Sequence, residues 1–239
     1  MRSISWLPLL LAAGCAHTPA PHPAQWTYDG ETGPAHWGEL VPACAKPRQS
    51  PIDLGGAVHK PLPAIAVHYQ PSHFTVVNDG HNIVANAAPG SFIEVGGVRH
   101  ELTQFHFHHP SEHVIDGKHY PLELHVVNKS AAGELDVLAV FVREGAENAT
   151  LAPLFAALPV KGGQLPLDNL QPAALLPSVQ AYYTYTGTLT VPPCSETHWL
   201  VLPDAIEVSA AQIAAFDARI SHNNRPLQPT EGRDVSTTP

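Results

Sequence analysis

Gln104–His113 reads QFHFHHPSEH, four histidines and one glutamate within ten residues. On an extended strand, side chains two apart point to the same side. His106 and His108 therefore project together with Gln104 beside them, while Phe105 and Phe107 face an opposite, apolar side. The continuation SEHVIDGKHYPLELHVV, Ser111–Val127, carries an Asp116-Gly117 turn and then a second apolar run. An antiparallel return through that turn sets His125 opposite His106 or His108, with Glu123 and Val127 on the same side. Three neutral imidazoles converging from neighbouring strands can hold zinc and leave one coordination position open. Gln104 and Glu123 each stand two residues before a candidate ligand, where they can accept from its second ring nitrogen.

Further strands are expected at Phe74–Val77, Ile83–Ala87, Val98–His109, Leu122–Val127, Val137–Val142 and Trp199–Leu202. Asn78-Asp79-Gly80 separates the first two as a hairpin turn would. The clearest helix is Ser209–Ile220, with Ser209 as N-cap and Ile213, Phe216 and Ile220 along one face. The pattern is that of a mainly β, mixed α+β single domain with short helices and long loops, from Trp26 to about Glu231. Residues 232–239 read as a polar, frayed tail. A chain of 239 residues, 44% hydrophobic, is long enough for one large domain with a substantial core. A net charge of −9 without any basic run argues against nucleic acid as a partner.

The opening MRSISWLPLLLAAGC has one arginine ahead of an apolar run, Trp6–Ala13, that is too short to span a bilayer. Residues 1–14 read as a signal peptide. Ala12-Ala13-Gly14-Cys15 resembles the lipobox of bacterial lipoproteins, although leucine is usual where Ala12 stands; an ordinary secretory leader is the alternative. Residues 15–25, rich in proline, suit a tether. The expected location is therefore the periplasm or cell envelope, with attachment to the outer membrane if Cys15 is acylated. Cys44 and Cys194 remain, and two cysteines in an exported chain are expected to pair, with free thiols as the alternative. Closing so long a loop stabilises by roughly 5 kcal/mol in the chain-entropy picture.

The spacing His106-x-His108 followed by Glu112 also fits the cupins, in which the glutamate is itself a ligand. The second half of the stretch, Ser-Glu-His leading to Glu123-x-His125, resembles instead the signature of the α-class carbonic anhydrases. WTYDGETGPAHWGEL at Trp26–Leu40, RQSPIDL at Arg48–Leu54, NDGHN at Asn78–Asn82, GTLTVPPC at Gly187–Cys194 and NNRPLQP at Asn223–Pro229 resemble that family's further blocks, in its order. The resemblance runs from about Trp26 to Glu231. It implies a large twisted, mostly antiparallel central sheet, and zinc held by His106, His108 and His125. The reaction it implies is attack of zinc-bound hydroxide on CO2 to give bicarbonate. A catalytically silent binding module on the same fold is the other reading; such relatives lose a zinc histidine, and all three are present here.

The same resemblance gives Thr190 the role of accepting the hydroxide's proton in a hydrogen bond and donating its own to Glu112. Val127, Val137, Leu189 and Trp199 match the apolar wall where CO2 sits. His81 matches a proton-shuttle histidine, apt because imidazole exchanges protons near neutral pH. Tyr28 matches a tyrosine beside the active-site waters. The Cys44–Cys194 pair matches a disulfide of exported members, and Arg225 reads as an anchor for several carbonyls. The other histidines, among them His100, His113, His198 and His222, read as solvated or hydrogen-bonded imidazoles. Whether the chain forms a homodimer is left open.

Overall fold

The structure is a computed structural model and describes residues 25–239. The expected signal peptide, Cys15 and nearly all of the tether lie outside the described residues. Twelve strands join one sheet. Two short ones, β1 (Val58–His59) and β2 (Ile65–His68), precede β3 (Ser72–Asn78) and β4 (Ile83–Ala87). Those two pair antiparallel across the Asp79 turn, where the Asp79 carboxylate accepts from the amides of His81 and Asn82. Next come β5 (Phe92–Val95), β6 (Val98–His108), β7 (Leu122–Ser130) and β8 (Leu135–Glu144). The last four are β9 (Gln164–Leu170), β10 (Tyr183–Thr188), β11 (Glu196–Val208) and β12 (Ser236–Thr237). All pairings are antiparallel except β1 with β12 and β8 with β11.

The centre runs β6-β7-β8-β11-β10, and alternation along these strands divides the apolar residues between two faces. Val126, Leu138, Val140, Leu200 and Leu202 join the larger core on the rear face. Val127, Val137, Ala139, Trp199 and Val201 form a smaller cluster on the front face. A register shift between Leu102 and Gln104 breaks the alternation of β6. One extra residue there re-aims everything beyond it. Leu102 thus faces the rear core together with Phe105 and Phe107, and Gln104, His106 and His108 turn to the front. Each buried phenylalanine stabilises this arrangement by roughly 1.5–3 kcal/mol relative to exposure.

Helices are short: α1 (Trp37–Leu40), α2 (Ala152–Ala156) and α3 (Ala210–Asp217). Ser209 caps α3 in a reciprocal box with Gln212, each side chain bonding the other's backbone amide. None of the described helices is long and apolar enough to cross a membrane.

Two expectations need correction. The tail is not frayed: β12 lies between β1 and β10, with Val235, Ser236 and Thr237 buried. Polar side chains did not signal this, because the pairing is made by backbone groups. The strands β2, β5, β9 and β10 were also unmarked; β9 contains Pro166, which an edge strand tolerates.

Candidate metal centre

Strand register brings the three histidines together. His106 lies directly opposite His125, and His108 opposite Glu123. One step along, Gln104, Val127, Val137, Trp199 and Tyr185 form a row across five strands. The histidines therefore rise from a floor of apolar side chains on the front face.

Each imidazole has one nitrogen held and one left free. His106 Nδ1 is 2.7 Å from Gln104 Oε1. His108 Nδ1 donates to the backbone carbonyl of Asn223 at 2.6 Å. His125 Nε2 is 2.7 Å from Glu123 Oε1. The free atoms are then His106 Nε2, His108 Nε2 and His125 Nδ1, and the three residues offer ligand atoms within 4.8 Å of one another. The two free Nε2 atoms are 3.1 Å apart. A tetrahedral zinc with bonds of about 2.0–2.1 Å separates adjacent ligands by roughly 3.3 Å. The residues present thus fit a zinc ion with little movement.

Electrostatics favour the neutral form of His106 and His108. Burial first, and then the neighbouring imidazoles, hold His106 well below the ordinary histidine value. Burial likewise lowers His108, against the opposing pull of Glu112. Neutral imidazole is the form that binds a metal. Burial pushes the Glu123 carboxyl up, but the facing His113 and His125 outweigh it and leave Glu123 well below the carboxylate range. As an anion, Glu123 accepts from both ring N–H groups and from the backbone amides of Glu112 and His113. The grouping His113, Glu123 and His125 is accordingly a hydrogen-bond network and not a second cation cage.

Glu112 is fully buried yet is not one of the converging ligands. Its Oε1 accepts from the Arg225 amide at 2.9 Å, and its Oε2 is buried without a hydrogen-bond partner among the described residues. That geometry disfavours the cupin arrangement, in which this carboxylate would meet the metal. Thr190 is buried. Leu189 is half-buried, and Val127, Val137 and Trp199 are buried on the floor. Trp199 packs edge-on to His125 with ring centres 4.8 Å apart. Tyr28 has a buried hydroxyl without a partner among the described residues, and burial, then Glu112 and Asp79, raises its pKa well above the usual phenol value.

His81 is partly exposed and stacked on Trp26 with ring centres 4.0 Å apart, its Nε2 donating to the Trp26 carbonyl at 2.8 Å. Cys44 and Cys194 form a disulfide across 150 residues. Arg225 donates from Nη1 to Gln49 Oε1 and to the Ser50 carbonyl. Nη1 thus reaches two carbonyl oxygens, one of a side chain and one of the backbone, while Nε has no partner among the described residues. Burial lowers the Arg225 guanidinium to about 10.

Two participants had no sequence signal strong enough to stand out. His113 is completely buried, with Nδ1 2.7 Å from Glu123 Oε1 and Nε2 2.6 Å from Tyr185 Oη. The Tyr185 hydroxyl continues to Ser50 Oγ at 2.9 Å. Asn223 supplies a backbone carbonyl to His108 while its side chain ties down the His109 amide and the Phe107 carbonyl. Its presence in NNRPLQP was visible, but a main-chain contact leaves no mark on residue type.

Comparison with known proteins points to one family. Residues 32–239 match the sequence model of the eukaryotic-type carbonic anhydrases. A carbonic anhydrase of Nostoc sp. is 40% identical over 237 residues, covering 93% of this chain and 90% of that protein. One of Pectobacterium carotovorum is also 40% identical, covering 95% and 96%. Among solved structures, a hyperthermostable carbonic anhydrase from a hydrothermal vent chimney superposes with a TM-score of 0.86 at 40% identity, covering 90% of this chain and 100% of that one. The α-carbonic anhydrase of Thermovibrio ammonificans, solved with the inhibitor sulfanilamide, gives 0.85 at 40% identity over 89% and 99%.

Proposed function

The chain belongs to the α-class, or eukaryotic-type, carbonic anhydrase family and hydrates CO2 reversibly to bicarbonate and a proton; on that premise we propose that His106, His108 and His125 hold zinc at its active centre. The observation that carries this reading is the set of three ring nitrogens left free and facing one another while their partners are tied. Bound there, zinc supplies a Lewis acid that lowers the pKa of water, an effect for which carbonic anhydrases are themselves the reference case.

The remaining steps belong to the chain's own groups. Gln104, Glu123 and the Asn223 carbonyl fix the three rings, so little reorganisation is needed when the ion enters. Glu112 Oε2, a buried acceptor without a donor among the described residues, would accept a hydrogen bond from the Thr190 hydroxyl. The Thr190 oxygen is then free to accept a hydrogen bond from the attacking oxygen and to orient its lone pair toward carbon. The Thr190 amide donates to a substrate oxygen. Val127, Val137, Leu189 and Trp199 give CO2 a dry, uncharged surface against which nothing competes for the nucleophile. Tyr28 orders the water that carries the released proton to His81. His81 takes that proton on one ring nitrogen and, being partly exposed, yields it to buffer.

The buried disulfide places the chain in an oxidising compartment. We infer export to the periplasm, with removal of residues 1–14 and acylation of Cys15 as an outer-membrane anchor, on the strength of the leader and the Ala12–Cys15 motif. Fatty-acid labelling that is lost in Cys15→Ser supports the anchor, and a soluble, unlabelled wild type refutes it. Stopped-flow CO2 hydration, sensitive to sulfanilamide and lost in His106→Ala, tests the catalytic reading. Zinc-loaded wild type that hydrates no CO2 would make the chain a binding module.

A further inference from the structure

The rear face of the sheet carries a polar row that the front chemistry does not use. Asp136 of β8 is the cross-strand neighbour of His198 of β11, and Thr184 of β10 is that of Leu200, two residues further on. By alternation Asp136, His198 and Thr184 share the face of Leu138 and Leu200, opposite Val137 and Trp199.

The hydrogen bonds along this row have a fixed direction. Asp136 is 5% exposed, and its Oδ1 lies 3.2 Å from His198 Nδ1. A carboxylate only accepts, so Nδ1 carries the hydrogen and Nε2 of the neutral ring keeps its lone pair. Thr184 Oγ1, 2.7 Å from Nε2, is then the donor. Hydroxyl, imidazole and buried carboxylate in that order are the arrangement that turns a weak alcohol into a nucleophile. The hydroxyl also has room before it: Thr184 and His198 both line a cavity of about 290 Å³. Leu62, Pro63, Val95 and Tyr182 give that cavity an apolar wall, and Lys60 adds a cation. His198 borders a second cavity as well, of about 560 Å³.

We propose that Thr184, His198 and Asp136 form a second catalytic site, on the face opposite the histidine triad, which hydrolyses small esters of short acyl chains without zinc.

Thr184 Oγ1 attacks the ester carbonyl carbon while its proton passes to His198 Nε2. The Lys60 ammonium stabilises the oxyanion that forms. The bond from carbon to the alcohol oxygen breaks, and the departing alkoxide takes the proton from His198. Water then attacks the acyl-threonine and gives its proton to Nε2. The carboxylic acid leaves as Thr184 recovers that proton. Asp136 holds the tautomer throughout and offsets the charge on the imidazolium. The apolar wall suits a short acyl chain, which needs no polar partner.

Hydrolysis of 4-nitrophenyl acetate by the full-length, zinc-loaded protein, with saturating sulfanilamide to block the front site, tests the assignment. A residual turnover is expected that falls about a hundredfold in His198→Gln and to the uncatalysed rate in Thr184→Val. Peptide mass spectrometry of acid-quenched wild type should find acetyl on Thr184. CO2 hydration without the inhibitor should be unchanged in both variants, which reports that each folds. If Thr184→Val does not fold, the partly exposed His198→Gln decides alone. A wild type that cleaves the ester but hydrates no CO2 would sink the front-site reading and leave this one standing. No residual turnover, or turnover that survives either substitution, overturns the proposal.

Discussion

The same strands carry two histidine clusters, one on each face, and the two are finished to different degrees. In front, all three non-ligating nitrogens are held by Gln104, Asn223 and Glu123. Behind, His198 is held by Thr184, but His100 has a buried nitrogen that bonds nothing. A fully tied cluster is ready for its ion before the ion arrives. The rear histidines do not converge in this way; His198 is bonded to Thr184 and Asp136. The contrast begins with a single inserted residue in β6, which sends His106 and His108 one way and His100 the other.

The largest expected break of this contrast is removal of a front ligand. His125→Ala should lose zinc and bring CO2 hydration to background, read by metal analysis and stopped flow. Next, Glu123→Gln removes the charge that holds both His113 and His125, and zinc affinity in chelator competition should fall about 10–100-fold. If it does not change, the pre-set geometry in front matters less than claimed.

Stability sharpens the picture further. Replacing Cys44 and Cys194 together by serine should cost about 2–5 kcal/mol in denaturant unfolding. The metal-free protein should also weaken on acidification. His106 and His108 are held below the ordinary 6.5, so the unfolded chain takes up protons more readily as pH falls through that value. Glu123, held below its ordinary 4.5, contributes stability that is present above that value and lost beneath it. Both effects have the same sign, so the thermal midpoint should drop steadily from pH 7 toward pH 4. A flat profile would mean that these groups are solvated when no metal is bound.

Much of the front site was legible in the chain because strand alternation is a local rule. Residues two apart share a face, so spacing groups His106 and His108 with Gln104, and Glu123 with His125; an antiparallel return and the family resemblance were needed to join the two sets. What stayed hidden depends on distant segments. His113 looked like one more polar residue, but a buried Tyr185 from β10 and Glu123 from β7 meet it. The carbonyl of Asn223 reaches His108 across 115 residues through the backbone, which residue type does not encode. His100 and Asp136 were unreadable as a pair, since their meeting depends on the β6 bulge and on the parallel contact between β8 and β11. The polar tail failed as a forecast for a similar reason: Ser236 and Thr237 pair by main chain inside the sheet.

The most direct test is crystallographic, with anomalous scattering recorded on both sides of the zinc absorption edge. A strong edge-dependent peak should lie about 2.0–2.1 Å from His106 Nε2, His108 Nε2 and His125 Nδ1, with Glu112 outside bonding range. A peak bonded to Glu112, an edge belonging to iron, or no anomalous density between the three rings would contradict the account.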